Sequence, residues 1–283
     1  MHPLLLSLTN IKMHVRNKTF IHGFLLLTLL PIPEFFYESS RIHSVLEARL
    51  FHHCLDIILQ PLKDAMECGC MMPDPLGNLR YRPTPLVSYI ADTPEACMIA
   101  CIRGKTSPVT TASHKKFGNP FRHPSRTAAL TKSQLKSIEH LASNIEEFFA
   151  ACEEFCLSGV SLPFWRNWLF ETPSYFLTPE ALHYWHCQCW DHDVRWRWVA
   201  LGNEEIDFRF SVLPRITGLC HFENRITKLK QVCGRTQRDV QRYLVAIIAG
   251  GVPPDVVIAI HALMEFRYLS QAPAITSQTR DRI

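Results

Sequence analysis

"LVSYIADTPEACMIACI", residues 86–102, is the stretch on which the fold turns. Leu86 to Ala91 form a short apolar run bounded by prolines, the signature of a strand. It ends on an acid, Asp92, followed at once by Thr93 and Pro94. Asp two residues before Pro is turn-opening chemistry, because the carboxylate bonds nearby backbone while Pro fixes φ. The apolar run from Glu95 to Ile102 fits either a helix or a second strand.

Upstream, residues 20–31 read as a central strand. Phe24 to Leu30 follow basic residues and imitate a leader, but the run is too short to span a bilayer. Pro31 and Pro33 end it, and no small-residue cleavage site follows. The two strands at 20–31 and 86–91 are expected as neighbours in one sheet, with Asp92 at its rim. Between them, "RIHSVLEARLFHHCLDIILQ" (41–60) reads as an amphipathic helix. Its apolar face is Ile42, Leu46, Leu50, His53 and Ile57, and Pro61 interrupts it. "MMPDPLGNLRYRPTP" (71–85) reads as a turn-rich loop.

Downstream, residues 103–128 look irregular. A helix is expected to open at Thr131 and run through "LKSIEHLASNIEEFFAACEEFCL" (135–157), followed by an aromatic-rich connection (161–179). From Thr178 the chain reads as mainly helical, with Thr178 as N-cap and Pro179 at the first helical position. The expected class is α+β, with residues 20–128 as a mixed domain and 129–283 as an α-helical lobe.

Of the 283 residues 47% are hydrophobic, enough for a sizeable core. The net charge of +4 permits a polyanionic partner without demanding one. Placement is more telling than the total. Residues 101–136 carry eight Lys or Arg and no acid, and residues 137–156 carry five Glu and no Lys or Arg. In the basic tract Arg103, Lys105, Lys115, Lys116, Arg122 and Arg126 alternate with Phe117, Phe121, His114 and His123. That combination suits phosphate contact and base stacking. Arg225, Lys228, Lys230, Arg235, Arg238 and Arg242 form a second basic stretch. Eleven cysteines, an odd number at irregular spacing, point to reduced thiols in an intracellular compartment.

"HYWHCQCWDHD" (183–193) raises the question of a metal. On an α-helix His183, His186, Cys187 and Trp190 share one face, and Cys189, His192 and Asp193 another. A structural zinc needs a fourth ligand, and no second pair stands at finger spacing. The favoured reading is a buried aromatic helix in which cysteines act as small hydrophobes. The same reading serves the Cys97/Cys101 and Cys152/Cys156 pairs.

Several blocks together resemble the Plavaka transposases of basidiomycete fungi, relatives of the CACTA-type transposases. They are "LLPIPEF", "RLFHHCLDIILQPLKDA", "DPLGNLRYRPTPLVSYIADTPEA", "FGNPFRH", "FLTPEALHYWH", "WDHDVRW", "EIDFRFSVLP" and "DVQRYLVAII", running from about residue 20 to the end. The resemblance implies an RNase H-like core, here partial, in which carboxylates hold two Mg²⁺ ions for phosphodiester cleavage and strand transfer. It places Asp92 at the second catalytic acid, in the Asp-x-Pro element of the family. Asp207 and Glu180 are candidates for the third acid, and His183 for a position near the metal.

Two departures follow. Relatives carry the opening Asp upstream of the "LLPIP" strand, and Met1 to Ile21 contain no acid. Where CACTA relatives have a Cys-Pro-x-Cys knuckle, this chain has Ser107-Pro108-Val109-Thr110, and hydroxyls do not replace thiolates on zinc. The expectation is a transposase remnant in the nucleus (alternatively the cytoplasm), without a complete catalytic set. Its partner would be DNA, bound weakly and without sequence preference. Self-association is open, and neither a membrane nor a small-molecule substrate is expected. A helical protein-interaction domain, docking through the acidic helix 137–156, is the competing reading. A metal-dependent hydrolase using His53, Asp92 and His183 is a third.

Overall fold

The computed structural model describes residues 2–36, 39–74, 76–169, 172–223, 225–229, 232–272 and 274–282. The chain divides into two compact units, Met1–Pro179 and Glu180–Ile283. The first unit is mixed. In order it contains β1 (His2–Leu6), α1 (Met13–Arg16), β2 (Leu25–Leu30), α2 (Ser40–Ile58), α3 (Gln60–Glu67), β3 (Cys70–Pro73) and β4 (Leu79–Arg82). Then come β5 (Tyr89–Ala91), α4 (Thr93–Ile99), α5 (Ala128–Ile138), α6 (Ile145–Glu154), α7 (Pro173–Phe176) and β6 (Leu177–Pro179). The second unit is helical. Two π-wound segments, Leu182–Cys187 and Cys189–Val194, lead into α8 (Arg195–Leu201) and α9 (Asn203–Ser211). They are followed by α10 (Gly234–Ile248), α11 (Pro254–Ser270) and α12 (Ser277–Arg282).

Helix and strand are both present, so the chain is α+β. The expected single sheet is absent: the described strands form three two-stranded sheets. β2 pairs antiparallel with β1, and β5 pairs parallel with β6, three residues that come from far along the chain. The strand at 20–31 and the strand at 86–91 are therefore not neighbours. Residues 71–85 are no plain loop either, because β3 and β4 make a hairpin. Its turn is held by the Asp74 carboxylate, which accepts from the Leu76 and Asn78 amides and from Arg80 Nε at 2.8–2.9 Å. Gly77 supplies the positive φ, 83°, that this turn requires.

The long helix is present, but its inward face is rotated from the expected one. Val45, Ala48, His52 and Leu55 are buried, while His53 and Ile57 are exposed. The cause is a histidine in the apolar stripe: His52 is fully buried because the core offers it two hydrogen bonds. The Phe164 amide donates to Nδ1 at 3.1 Å, which leaves Nε2–H to donate to the Met98 carbonyl at 3.0 Å. Pro61 separates α2 from α3 and sits at the start of α3, where its missing N–H costs nothing.

The run 93–102 is a helix, and the way it ends explains the spaced cysteines. Cys101 adopts the left-handed conformation, φ 58°. The Ile102 amide reaches the Cys97 carbonyl and the Cys101 amide the Met98 carbonyl, both at 3.0 Å. This double bond is a Schellman end. Helix α6 ends the same way: Cys156 has φ 57°, and the Leu157 and Cys156 amides bond to Cys152 and Glu153. The two ends pair through the Arg103 amide on Cys156 O and the Ser158 amide on Cys101 O. The helix expected to be continuous from Thr131 starts instead at Ala128, capped by the Thr127 hydroxyl. It breaks before Asn144, whose side chain caps α6. Gly159, at φ 98°, lets the chain pass over Val45, whose methyl carbons would lie 3.2–3.3 Å from an added Cβ.

The aromatic connection after α6 is core. Phe164, Trp165 and Phe176 are fully buried, and Trp165 Nε1 donates to Ile99 O at 2.7 Å. Beside it Asp56 pairs with Lys63 and, at 2.6 Å, with Arg166. Thr178 does not cap a helix: it lies in β6 with its hydroxyl 2.7 Å from Ser88 Oγ.

Burial pulls the His52 imidazole down to about 4, from an ordinary value of 6.5. A neutral ring is thus built into the fold. Its stabilising contribution is complete above pH 6.5 and is lost as pH falls toward 4, by about 3 kcal/mol in all. Urea unfolding of the native chain and of His52→Leu at pH 7.5 and pH 4.5 checks this. The native chain should lose more stability on acidification than the variant, which itself starts lower because Met98 O and Phe164 N are left unpaired.

Candidate functional site

Asp92 stands where β5 runs into α4. The parallel register, Ala91 against Pro179, sets the end of β5. The backbone of Asp92 is still extended (φ −72°, ψ 175°), and Oδ1 accepts the Glu95 amide at 2.9 Å. It is the N-cap of α4, satisfying one of the helix's unpaired amides. Glu95 faces inward and takes the Tyr89 hydroxyl at 2.9 Å. Burial raises the Glu95 carboxyl above its ordinary range, against the pull of that hydrogen bond.

Asp207, Glu180 and His183 all lie in the second unit. Asp207, on α9, uses both carboxylate oxygens on one residue. It accepts the Thr227 amide at 3.0 Å and the Thr227 hydroxyl at 2.8 Å. Glu180 accepts the His183 amide and the His183 ring through Oε1, closing the start of the wide helix. His183 is exposed.

His186, Cys187, Cys189 and Asp193 of the same stretch are taken up by packing, while Asp191 and His192 are exposed. His186 Nδ1 donates to Gln241 at 3.2 Å, and Cys187 Sγ to Gln237 at 3.5 Å, both on α10. Asp193 is buried against Arg267 at 2.9 Å. Cys189 is fully buried, and burial pushes its thiol to about 12. The π winding has more than 3.6 residues per turn. It turns Cys189, Trp190, Asp193 and Val194 inward together, where α-helical spacing would set Trp190 with the histidines. Among the described residues no group of three or more His, Cys, Asp or Glu could hold a metal ion. Each candidate acid accepts hydrogen bonds from the backbone or a neighbouring side chain: Asp92 through Oδ1, Glu180 through Oε1 and Asp207 through both oxygens.

The basic tract gives a different picture. Its base is fixed by Thr106 and Ser113, which bridge, by Thr110 and Ser125, which bridge, and by the His114 amide on Lys105 O at 2.8 Å. Arg126 belongs to that base. It is buried, with Nε on Ser107 O at 3.3 Å. Arg103 pairs with Glu153 at 2.7 Å on the surface. Lys105 is exposed at a left-handed turn position, φ 66°. From the base projects an unbroken run of nine exposed residues, His114 to Arg122. It presents Lys115, Lys116 and Arg122 together with the rings of Phe117 and Phe121, 57% and 62% exposed. Nothing in the sequence marked Arg126 as structural, because its partner is a backbone carbonyl. Glu153 as the partner of Arg103 was foreshadowed only by the acidic run 137–156.

The second basic stretch also reaches solvent. Arg235, Arg238 and Arg242 are exposed along α10, and Arg235 bonds to Gly218 O at 3.0 Å. Lys230 lies outside the described residues.

A family model described as Plavaka transposase matches residues 1–197. The "EIDFRFSVLP" and "DVQRYLVAII" blocks lie beyond that match. No curated protein and no solved structure matches the chain.

Asp92→Ala should cost about 1 kcal/mol of stability through loss of the cap, and Asp92→Asn or Asp92→Ser should recover most of it. Equilibrium urea unfolding of the three variants reads this directly. Equal losses in Ala, Asn and Ser variants would mean that the charge of Asp92, and not its cap, matters to the fold.

Proposed function

The chain belongs to the Plavaka transposase family, and from that premise we propose that it is a DNA-binding protein of transposon origin that does not cleave DNA by itself. The observation that carries this reading is the exposed run 114–122, raised on a fixed base. Lys and Arg there neutralise phosphates and release counterions, which gives affinity without sequence preference. Phe117 and Phe121 offer faces on which unpaired bases stack. Lys105 stands at the same end of the tract, while Arg103 and Arg126 serve Glu153 and the loop base first.

In this reading the order strand, Asp92, helix is what remains of an RNase H-like core within residues 20–128, and residues 129–283 form a helical lobe. Mg²⁺ dependence is the family's expectation. In this chain Asp92 caps a helix, Asp207 serves Thr227 and Glu180 serves His183, so none of them is set to converge on an ion. DNA as the partner implies action in the nucleus. Among the described residues no helix is long and apolar enough to cross a membrane.

Titration of fluorescent single-stranded and duplex DNA over a salt series tests the reading. The native chain should bind with an affinity that falls steeply with salt. Lys115→Ala/Lys116→Ala/Arg122→Ala should bind more weakly, with a log–log slope shallower by about 2 to 3 for three lost phosphate contacts. An unchanged slope would reduce the run to a solvated surface and favour the protein-interaction reading. Supercoiled plasmid should stay uncut with Mg²⁺ or Mn²⁺. Nicking that disappears in Asp92→Ala would overturn the non-cleaving half of the proposal.

A further inference from the structure

The apolar run that imitates a leader has no part in the basic tract, and the fold leaves most of it in solvent. β1 and β2 form a ribbon in which cross-strand partners share a face. The pairs Pro3–Leu29 and Leu5–Leu26 make its outer face, where the three leucines are 49–58% exposed. On the opposite face Leu30 is buried and Leu4 packs against the core. At the far end of that face Leu25, the partner of Leu6, comes free again at 60% exposure. The connection between the strands adds Leu8, Met13, Phe20, Ile21 and Phe24, all exposed. The tip of this hairpin is therefore apolar on both sides. Scattered exposed apolar residues are ordinary, but a concentrated set marks a surface that something covers.

Charge identifies the covering partner. Residues 1–33 carry Lys12, Arg16 and Lys18 and no acid. Lys12 and Lys18 are exposed. Lys18 Nζ lies 5.8 Å from the centre of the Phe20 ring, and the Arg16 guanidinium 5.6 Å from that of Phe24, so cations and apolar groups stand side by side. We propose that the hairpin tip docks the chain on anionic lipid surfaces. Its leucines and phenylalanines enter the boundary between headgroups and acyl chains, and its cations meet the headgroup charge. A second copy bringing the same cationic tip is repelled. A protein groove covers one side of a ribbon, whereas a lipid layer takes in a tip that is apolar on both. Nucleic acid suits the cations and rings but leaves the leucines in water. With six residues, β2 is too short to cross a bilayer, so the attachment is peripheral. The proposal is independent of the DNA-binding reading.

Co-sedimentation with vesicles tests this, using phosphatidylcholine alone and an equimolar mixture of phosphatidylcholine and phosphatidylserine. The native chain should pellet with the mixed vesicles and far less with the neutral ones. Lys12→Gln/Lys18→Gln should bind the mixed vesicles more weakly, by about fivefold for each lost cation. Leu25→Ser/Leu26→Ser should cease to pellet while keeping its urea midpoint and its DNA affinity, because both side chains are exposed. Lys115→Ala/Lys116→Ala/Arg122→Ala should pellet like the native chain. Equal binding to neutral and mixed vesicles, or no binding to either, would overturn the proposal. So would vesicle binding lost in the Lys115/Lys116/Arg122 variant but kept in the leucine variant. A native dimer that Leu25→Ser/Leu26→Ser disperses would give the tip to a second copy and overturn it as well.

Discussion

A neutral imidazole, buried where three segments meet, is the interaction on which the first unit depends. His52 on α2 receives the Phe164 amide on one nitrogen and gives its proton to the Met98 carbonyl with the other. His52 and Phe164 are fully buried, and an unpaired backbone group in such a place costs as much as a lost hydrogen bond. The ring therefore fixes the distance between α2, the end of α4 and the aromatic connection. Trp165 repeats the arrangement one residue on, at Ile99. With its last carbonyls claimed by side chains, α4 is held at both ends, since Asp92 caps the other.

That fixed helix matters for function because of what leaves it. The chain turns out of α4 at Cys101 in a left-handed conformation and is pinned there by cross-bonds to the end of α6. The basic tract begins at the next residues and returns at Arg126, whose buried guanidinium ties the two limbs together. Between these anchors the run from His114 to Arg122 is exposed throughout. One acid beside the tract is already taken, Glu153 by Arg103. Among the charges first read as phosphate contacts, the structure thus separates those that build the loop from those that it displays.

Much of this was legible in the residues. Helix α2, strands β2 and β5, the irregular basic tract and the helical C-terminal half follow from apolar spacing and breaker residues. What escaped the sequence has particular causes. His52 reads as a polar interruption, so the stripe was assigned to its neighbour His53. β6 is three residues long and pairs with β5 across 88 positions, from Tyr89 to Leu177, and no local pattern announces such a partner. Thr178-Pro179 carries a helix-start signature that the strand pairing overrides. The "HYWHCQCWDHD" stretch suggests a metal because His and Cys are ligands in general. Here they are donors to Gln237 and Gln241, a use visible only once α10 is in place. The family was legible as a set of ordered blocks, and the match over residues 1–197 bears it out.

The central claim is that a fixed base displays residues 114–122 to nucleic acid. Amide hydrogen exchange measured with and without single-stranded DNA tests it most directly. The account predicts that added DNA slows exchange within residues 103–123 and leaves the amides around His52, Met98 and Phe164 unchanged. Slowing confined to the start of α10, or no change in residues 103–123 at a DNA concentration that saturates binding, would contradict it.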